Sequence, residues 1–268
     1  MYDLTFLIPT RIETEDRLRN IISSVSYLLK HIPAKVIVKE VSHQPIFELK
    51  AVPEIKKYTD TSNLTYLYEE TQELLFCKSK VLNDLIVAAD TKVVANYDAD
   101  CILPIDSYHQ AYSAINDNQV DLVYPYGCGI YQWRTEYNQN IYEDFINQLD
   151  VSVLDKQKTL SNSTIGWTQF VNRQKYIESF MMNENFISWG CEDDEFYYRM
   201  SVLGNRIGRI DNYVYHLEHS RTHNSWFSNP NFNNNWKLWN VIKTFDKEQL
   251  IQYYKNQDYL KERKKQMK

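Results

Sequence analysis

The stretch VVANYDADC, residues 93–101, decides the predicted fold. It is an apolar run that ends in two carboxylates, Asp98 and Asp100, and a helical pattern at residues 77–90 precedes it. Such a run indicates a buried strand of a parallel sheet. Ligands of open α/β sheets bind beyond the carboxyl ends of the strands, and two neighbouring acids repel unless a cation lies between them. The stretch therefore predicts either a divalent-cation site or an acidic turn in which one of the acids caps the next helix.

Strand and helix patterns alternate on both sides of this stretch. Strands are predicted at residues 3–10, 34–41, 64–68, 92–97 and 120–125, and helices at residues 14–31, 77–90 and 104–116. The alternation predicts an α/β fold with a doubly wound, mostly parallel sheet. Neither GxGxxG nor GxxxxGK occurs in the sequence, which disfavours a Rossmann dehydrogenase or a P-loop NTPase.

The second half of the chain has weaker periodicity. Residues 127–170 are predicted to be irregular, with one helix near residues 142–149. The remaining predictions are a helix at 173–182, a helix that starts at the acids of 192–195, two short strands within 206–216, an Asn-rich loop at 224–235, and C-terminal helices at 236–245 and 247–268.

Composition excludes several classes of protein. The net charge of −5 disfavours a general polyanion binder, so no nucleic-acid partner is expected. The four cysteines form no CxxC, which argues against a structural zinc site and favours reduced thiols in a cytoplasmic protein. Aromatic residues make up 14% of the chain, which suits sugar- or base-lined clefts as well as interfaces.

Two further clusters could carry chemistry. The acids Glu192–Glu195 follow Trp189-Gly190 at the start of a predicted helix, where the helix dipole alone favours one or two acids. A carboxylate beside an aromatic ring can also have its pKa tuned for general-base catalysis. His216 and His219 follow a predicted strand and are either metal ligands or a surface pair. Together with the first acid pair, these clusters fit transfer from a nucleotide-linked donor to an acceptor hydroxyl.

Three motifs resemble one family. YDAD at residues 97–100 resembles the DxD motif of GT-A fold glycosyltransferases. WGCEDDE at residues 189–195 resembles the WGGEDDD block of the β-1,4-galactosyltransferase group and of family-2-type bacterial capsular polysaccharide synthases such as chondroitin polymerases. His216-x-x-His219 is similar to the metal-ligand segment of that group. The resemblance extends from about Leu4 to His219 and implies a GT-A type mixed, mostly parallel sheet with C-terminal helices.

The resemblance also implies roles for individual residues. Asp193 would be the catalytic base, and the acceptor would contact Trp189, Gly190, Glu192 and Asp194. The metal ligands would be Asp98, Asp100, His216 and His219, although His216 stands where the galactosyltransferases carry a Met. The nucleotide-sugar would contact Pro9, Thr10, Arg11, Glu40, Lys78, Asn83, Asp98, Gly166 and Trp167. Trp167 and Cys191 replace glycines of the family, which leaves the donor and acceptor open.

The resemblance implies an inverting glycosyltransferase that uses Mn²⁺ or Mg²⁺ and a UDP-sugar. The expected reaction moves galactose or an N-acetylhexosamine to a glycan or lipid-linked oligosaccharide in bacterial capsular or surface polysaccharide synthesis. Two alternatives stay open. A sugar-nucleotide nucleotidyltransferase would also use an acid pair, but it normally has a Gly-rich loop that residues 9–17 lack. A non-catalytic glycan-binding protein would use the aromatic residues alone.

The chain is interpreted as one domain with an extension. Residues 1–222 form the glycosyltransferase domain, with a nucleotide-binding half at 1–125 and an acceptor-binding half at 126–222. Residues 223–268 form a helical extension packed on it. A cytoplasmic location is expected because no stem or anchor is seen. The basic, aromatic tail at residues 250–268 is either a peripheral contact with the inner face of the membrane or a solvated helix end.

Overall fold

The computed structural model describes residues 1–154, 158–159 and 164–267. Its strands are β1 (Leu4–Thr10), β2 (Lys35–Ser42), β3 (Leu64–Glu70), β4 (Val93–Tyr97), β5 (Cys101–Ile102), β6 (Leu122–Tyr124), β7 (Gln132–Thr135), β8 (Lys158–Thr159), β9 (Thr168–Asn172), β10 (Ile207–Arg209) and β11 (Val214–Leu217). Its helices are α1 (Glu15–His31), α2 (Val52–Ile55), α3 (Lys78–Ala88), α4 (Ile105–Asn116), α5 (Gln139–Gln148), α6 (Arg173–Glu178), α7 (Glu192–Val202), α8 (Phe232–Ile242), α9 (Lys247–Lys255) and α10 (Asp258–Gln266).

Seven strands form the main sheet, in the order β10-β6-β9-β4-β1-β2-β3. β1 pairs in parallel with β2 and β4, and β9 pairs antiparallel with β4 and β6. The sheet is therefore mixed and mostly parallel, which confirms the predicted fold class. β1 and β4 are buried along their whole lengths. Helices cover both faces of such central strands, which is why their sequences are continuous apolar runs.

A second sheet has the order β5-β11-β7-β8 and brings the two predicted metal-binding segments together. β5 directly follows Asp100 and pairs antiparallel with β11, so that His216 lies opposite Cys101. The backbone N–H of Leu217 also donates to the carbonyl of Asp100 at 2.7 Å. Strand pairing thus fixes His216 and Asp100 side by side although they are far apart in sequence.

The structure corrects several predictions in the second half of the chain. β9 lies at the centre of the main sheet, inside the segment 127–170 that was predicted to be irregular. Its polar residues Thr168 and Gln169 are buried, so no apolar pattern marked it. Parts of that segment, 155–157 and 160–163, lie outside the described residues. The helix predicted at 173–182 ends at Glu178.

The Asn-rich segment is also partly helical, because α8 begins at Phe232. Asn235 ties this helix to the loop before α7, since its Nδ2 donates to the carbonyl of Ile187 at 3.0 Å and its Oδ1 accepts from the Ile187 N–H at 3.2 Å. This asparagine therefore fastens α8 in place and does not mark a free loop.

The last predicted helix is two helices, α9 and α10, and both pack on the sheet domain. Tyr254 of α9 donates to Glu195, and Arg263 of α10 lies between Asp84 and Glu184. Within the described chain, no helix is both long and apolar enough to cross a lipid bilayer.

Candidate active site

A cleft of about 700 Å³ opens where β1 and β4 end. Most of the predicted site residues line it: Pro9, Thr10, Arg11, Lys78, Asp98, Asp100, Gly166, Trp167, Trp189, Gly190, Glu192, Asp193, Asp194, His216 and His219. The carboxyl ends of the central strands supply one wall, and the start of α7 supplies another. This is the location at which open α/β sheets bind their ligands.

Asp100, His216 and His219 converge at the bottom of the cleft, with one ligand atom from each residue within 4.8 Å of the others. Oδ2 of Asp100 lies 3.0 Å from Nε2 of His219 and 3.8 Å from Nε2 of His216. Burial alone would raise the pKa of Asp100, but the two imidazoles outweigh burial and hold that pKa well below its usual range.

The orientation of His219 makes this group a fitting cation site. Its Nδ1–H donates to the carbonyl of Ser220 at 3.0 Å, which leaves Nε2 facing Oδ2 of Asp100. A ring nitrogen and a carboxylate oxygen at 3.0 Å are held together by a proton or, when one is bound, by a metal cation between them. Mixed oxygen and nitrogen donors suit Mn²⁺, so the residues fit the metal that the resemblance implies.

His216 has a carboxylate on its other side. Its Nδ1 lies 3.6 Å from Oε1 of Glu218, which in turn binds Arg134 at 2.6 Å. That separation is longer than a hydrogen bond, so Glu218 is the nearest carboxylate on this side of the ring but does not bind it directly. The ring of Trp167 packs against His216 with centroids 5.6 Å apart.

Asp98 does not join this group and pairs with Lys78 instead. The Nζ of Lys78 lies 2.8 Å from Oδ1 of Asp98 and 3.6 Å from Oδ2 of Asp193. Burial raises the pKa of Asp98 to about 6, and repulsion from Asp100 and Asp193 acts in the same direction. Lys78 lowers that pKa but offsets these two effects only in part. Lys78 therefore links the acid at the end of β4 to the acid at the start of α7.

Asp193 lies in the opposite wall with its carboxylate held in place. Nε2 of Gln169 donates to Oδ1 at 3.1 Å, and Lys78 is near Oδ2. A Cβ at position 166 would lie 2.6 Å from Oδ2, so Gly166 is required for the close approach of this carboxylate.

The other acids of the run 192–195 have different environments. Glu192 is buried and accepts from the N–H of Gly190 at 2.8 Å, and burial together with Asp193 raises its pKa to about 7. Burial likewise raises the pKa of Asp194. Glu195 lies outside the cleft in a fully buried pair with Arg199 at 2.7 Å. Only the first three acids therefore face the cleft.

Two positions where the sequence lacks a family glycine keep a glycine-like backbone. Trp167 has φ of +38° and Cys191 has φ of +70°, both in the left-handed region. The carbonyl of Trp167 accepts from the N–H of Asp98 at 2.7 Å, which ties the two walls together. The strained backbone is thus retained while larger side chains fill the cleft.

The structure does not bring Glu40 or Asn83 to the cleft. The carboxylate of Glu40 is fully buried and accepts from the N–H groups of residues 46 and 47 and from Tyr66. Asn83 is also fully buried and binds Met182 and Glu184. Their polar atoms are occupied in holding loops together. Arg11 lines the cleft, but its guanidinium donates to the carbonyls of Val41, Glu73 and Leu74.

Sequence reasoning missed several cleft residues, among them Arg17, Arg221, Asn224, Trp226 and Phe227. Arg17 is a cation in the first turn of α1, where the helix dipole disfavours positive charge. Its unfavourable position could have indicated a functional residue. Asn224 had no such signal. Its Oδ1 accepts from the Phe76 N–H at 2.8 Å and the Ser188 hydroxyl at 3.1 Å, which joins three loops around the cleft.

A family model described as the N-terminal domain of galactosyltransferase matches residues 156–220. No curated protein matches the sequence. S. aureus TarS 1–349 in complex with UDP-GlcNAc has a TM-score of 0.60 at 18% identity, covering 90% of this chain and 66% of that chain. The fold is of the GT-A type.

Two further solved structures are similar at lower scores. The mannosyltransferase PcManGT from Pyrobaculum calidifontis, in complex with GDP-Man and Mn²⁺, has a TM-score of 0.51 at 18% identity, covering 81% of this chain and 56% of that chain. The catalytic domain of Drosophila β1,4-galactosyltransferase 7, in complex with xylobiose, has a TM-score of 0.50 at 15% identity, covering 83% of this chain and 73% of that chain. The chain thus resembles GT-A glycosyltransferases, as its motifs indicated, and it spans about two thirds of the TarS chain.

Proposed function

We propose that the protein is an inverting, metal-dependent glycosyltransferase that moves galactose or an N-acetylhexosamine from a UDP-sugar to a glycan hydroxyl. The observation that carries the proposal is the cation site of Asp100, His216 and His219, which shares one cleft with the tethered carboxylate of Asp193. The likeness to structures with bound nucleotide-sugars supports it.

The donor would lie on the side of the cleft formed by β1 and β4. Asp100, His216 and His219 would hold a divalent cation, which when bound neutralises the charge that develops on the leaving diphosphate. Arg17 and Arg221 line the same cleft and supply further positive charge for it. Pro9 and Thr10 follow the central strand β1 and would contact the nucleotide.

Asp193 would act from the other wall as the base. The acceptor oxygen forms a bond to the anomeric carbon, the bond from that carbon to the diphosphate oxygen breaks, and the acceptor proton passes to the carboxylate of Asp193. One such displacement inverts the anomeric centre. Lys78 and Gln169 would hold the carboxylate in position for the transfer.

The acceptor side opens onto a group of aromatic rings that we call the aromatic platform: Trp189, Trp226, Phe227, Phe232 and Trp236. The first three line the cleft, and all except the half-buried Phe232 are exposed. The rings are in continuous contact, with centroid separations between 4.9 and 6.4 Å. Flat rings beside exposed Asn side chains suit the apolar face and hydroxyl rim of a sugar. The platform supports a glycan acceptor, in keeping with the role we propose for Trp189.

The C-terminal tail, residues 250–268, is the part of the chain that was considered for contact with a membrane. Tyr254 and Leu260 are buried against the domain, so the tail has little apolar surface left for a bilayer. A peripheral membrane contact would rest on exposed lysines such as Lys264 and Lys265. We propose bacterial capsular or surface polysaccharide synthesis as the setting, on the motif resemblance alone.

Thermal shift with UDP, with and without Mn²⁺, tests the proposal together with UDP release from UDP-galactose, UDP-GalNAc and UDP-GlcNAc. We expect a Mn²⁺-dependent UDP shift that Asp100→Ala abolishes. Asp193→Asn should keep the shift and lose transfer by orders of magnitude. No shift with any nucleotide and metal would refute the proposal and favour a glycan-binding protein. Diphosphate release from a nucleoside triphosphate and a sugar phosphate would instead identify a nucleotidyltransferase.

A further inference from the structure

One face of α1 carries a row of polar side chains that point at the two segments of the proposed metal site. Asp16, Asn20 and Ser24 are spaced four residues apart and therefore lie on the same face of the helix. Asn20 and Ser24 are almost fully buried, where polar groups are costly unless they are hydrogen-bonded. We call these three residues the α1 polar row.

Ser24 holds the turn between the two acids. Its hydroxyl donates to the carbonyl of Ala99 at 2.8 Å, and its other acceptor, the Ile21 carbonyl of its own helix, is more distant at 3.3 Å. Ala99 lies between Asp98 and Asp100, so the bond fixes the turn from which the Asp100 carboxylate projects.

Asn20 and Asp16 hold the histidine segment. Nδ2 of Asn20 donates to the carbonyl of Leu217, the residue after His216, at 2.9 Å. Oδ2 of Asp16 accepts from the N–H of Ser220 at 2.5 Å and from its hydroxyl at 2.7 Å. The carbonyl of Ser220 in turn accepts from His219 Nδ1, so Asp16 fixes the group that orients the His219 ring.

We infer that Asp16, Asn20 and Ser24 are positioning residues that set the geometry of the Asp100, His216 and His219 site. The inference rests on the metal binding in the proposed function. The two ligand segments come from different strands, and the α1 polar row binds the backbone of both. Loss of outer-shell partners that orient metal ligands typically weakens metal binding by 10- to 100-fold, and we expect these backbone supports to act at the lower end of that range.

Ser24→Ala and Ser26→Ala form a matched pair for the test. Both serines are fully buried in α1 and lose the same atom, but the Ser26 hydroxyl has no hydrogen-bond partner among the described residues. We expect Ser24→Ala to raise the dissociation constant for Mn²⁺, measured by electron paramagnetic resonance on the full chain, about tenfold. Ser26→Ala should leave it unchanged, and Ser24→Thr, which keeps the hydroxyl, should restore most of the affinity.

The dissociation constant for Mn²⁺ is also measured for Asn20→Ala, whose melting temperature is recorded to show that the variant folds. A dissociation constant for Ser24→Ala within twofold of that for Ser26→Ala, while the wild-type chain binds Mn²⁺, would overturn the inference and leave the proposed function standing. A wild-type chain that binds no Mn²⁺ would overturn both. Equal weakening in Ser24→Ala and Ser26→Ala would overturn the inference, because it would show only a general effect of altering α1.

Discussion

Replacing Gly166 by alanine is the substitution whose consequence the structure specifies most closely. The new Cβ would lie 2.6 Å from Oδ2 of Asp193, whereas ordinary contact begins at 3.4 Å, so the carboxylate must retreat by about 0.8 Å. Gly166 is not among the residues with positive φ, so its backbone accepts alanine. The substitution therefore acts on the carboxylate and leaves the chain path intact.

The retreat should be costly for the reaction because the carboxylate is tethered on both sides. Moving Oδ2 disturbs the contacts with Gln169 and Lys78 and places the base off the line of proton transfer. A misplacement near 1 Å can cost about 100-fold in rate, so we expect kcat to fall by about 10²-fold in Gly166→Ala. The Mn²⁺-dependent UDP shift should stay at the wild-type value.

The assay is UDP release from the donor that the wild-type chain uses best. The control is a double-mutant cycle with Asp193→Ala, which removes the atoms that the new methyl group meets. In that background Gly166→Ala should change neither the remaining rate nor the melting temperature. A Gly166→Ala variant with kcat within threefold of wild type would refute the assignment of Asp193 as a precisely held base.

Three further substitutions test other features. The raised pKa of Glu192 makes the free energy of unfolding of the wild-type protein fall as the pH rises from 4.5, the ordinary pKa of a glutamate, to about 7. In urea unfolding, Glu192→Gln should therefore stabilise the protein by about 2 kcal/mol at pH 8 and by little at pH 5. An equal effect at both pH values would contradict this. Arg199→Met should destabilise the protein by about 3–5 kcal/mol by leaving Glu195 charged and buried, whereas Arg199→Met combined with Glu195→Leu should cost less. Trp236→Ala should weaken chitohexaose binding about fivefold by calorimetry with UDP binding unchanged, and equal affinity would remove Trp236 from the platform.

The first half of the fold could be predicted because its signals are local. The apolar runs of β1 and β4 and the spacing in α1 and α3 lie within single elements, and the structure places them as expected. Asp98 and Asp100, which end the apolar run of β4, predicted a site at the edge of the sheet where the cleft opens.

The features that sequence reasoning missed depend on distant partners, whereas α7, β10, β11 and α9 follow the local patterns that predicted them. Thr168 and Gln169 belong to a central strand only because β9 pairs with β4 on one side and with β6 on the other. Glu40 was expected to contact the nucleotide, but β2 continues past it to Ser42 and its carboxylate is used by a neighbouring loop that the sequence does not reveal. Arg17 joins the cleft only because α1 packs beside the turn at Asp100.

The proposed boundary between domain and extension at residues 222 and 223 falls inside the wall of the cleft. Arg221 lies just before it, and Asn224, Trp226 and Phe227 lie just after it. The extension therefore contributes to the cleft itself, and we propose that the two parts work as one unit.

The left-handed backbone of the cleft has a consequence for laboratory evolution. Eight non-glycine residues of the described chain have positive φ, and four of them, Trp167, Ser188, Cys191 and Trp226, line the cleft. Each such residue holds about 1–2 kcal/mol of strain that glycine would release. Selection for heat resistance alone should therefore favour glycine at these positions, and it would remove the rings and the thiol that now shape the cleft.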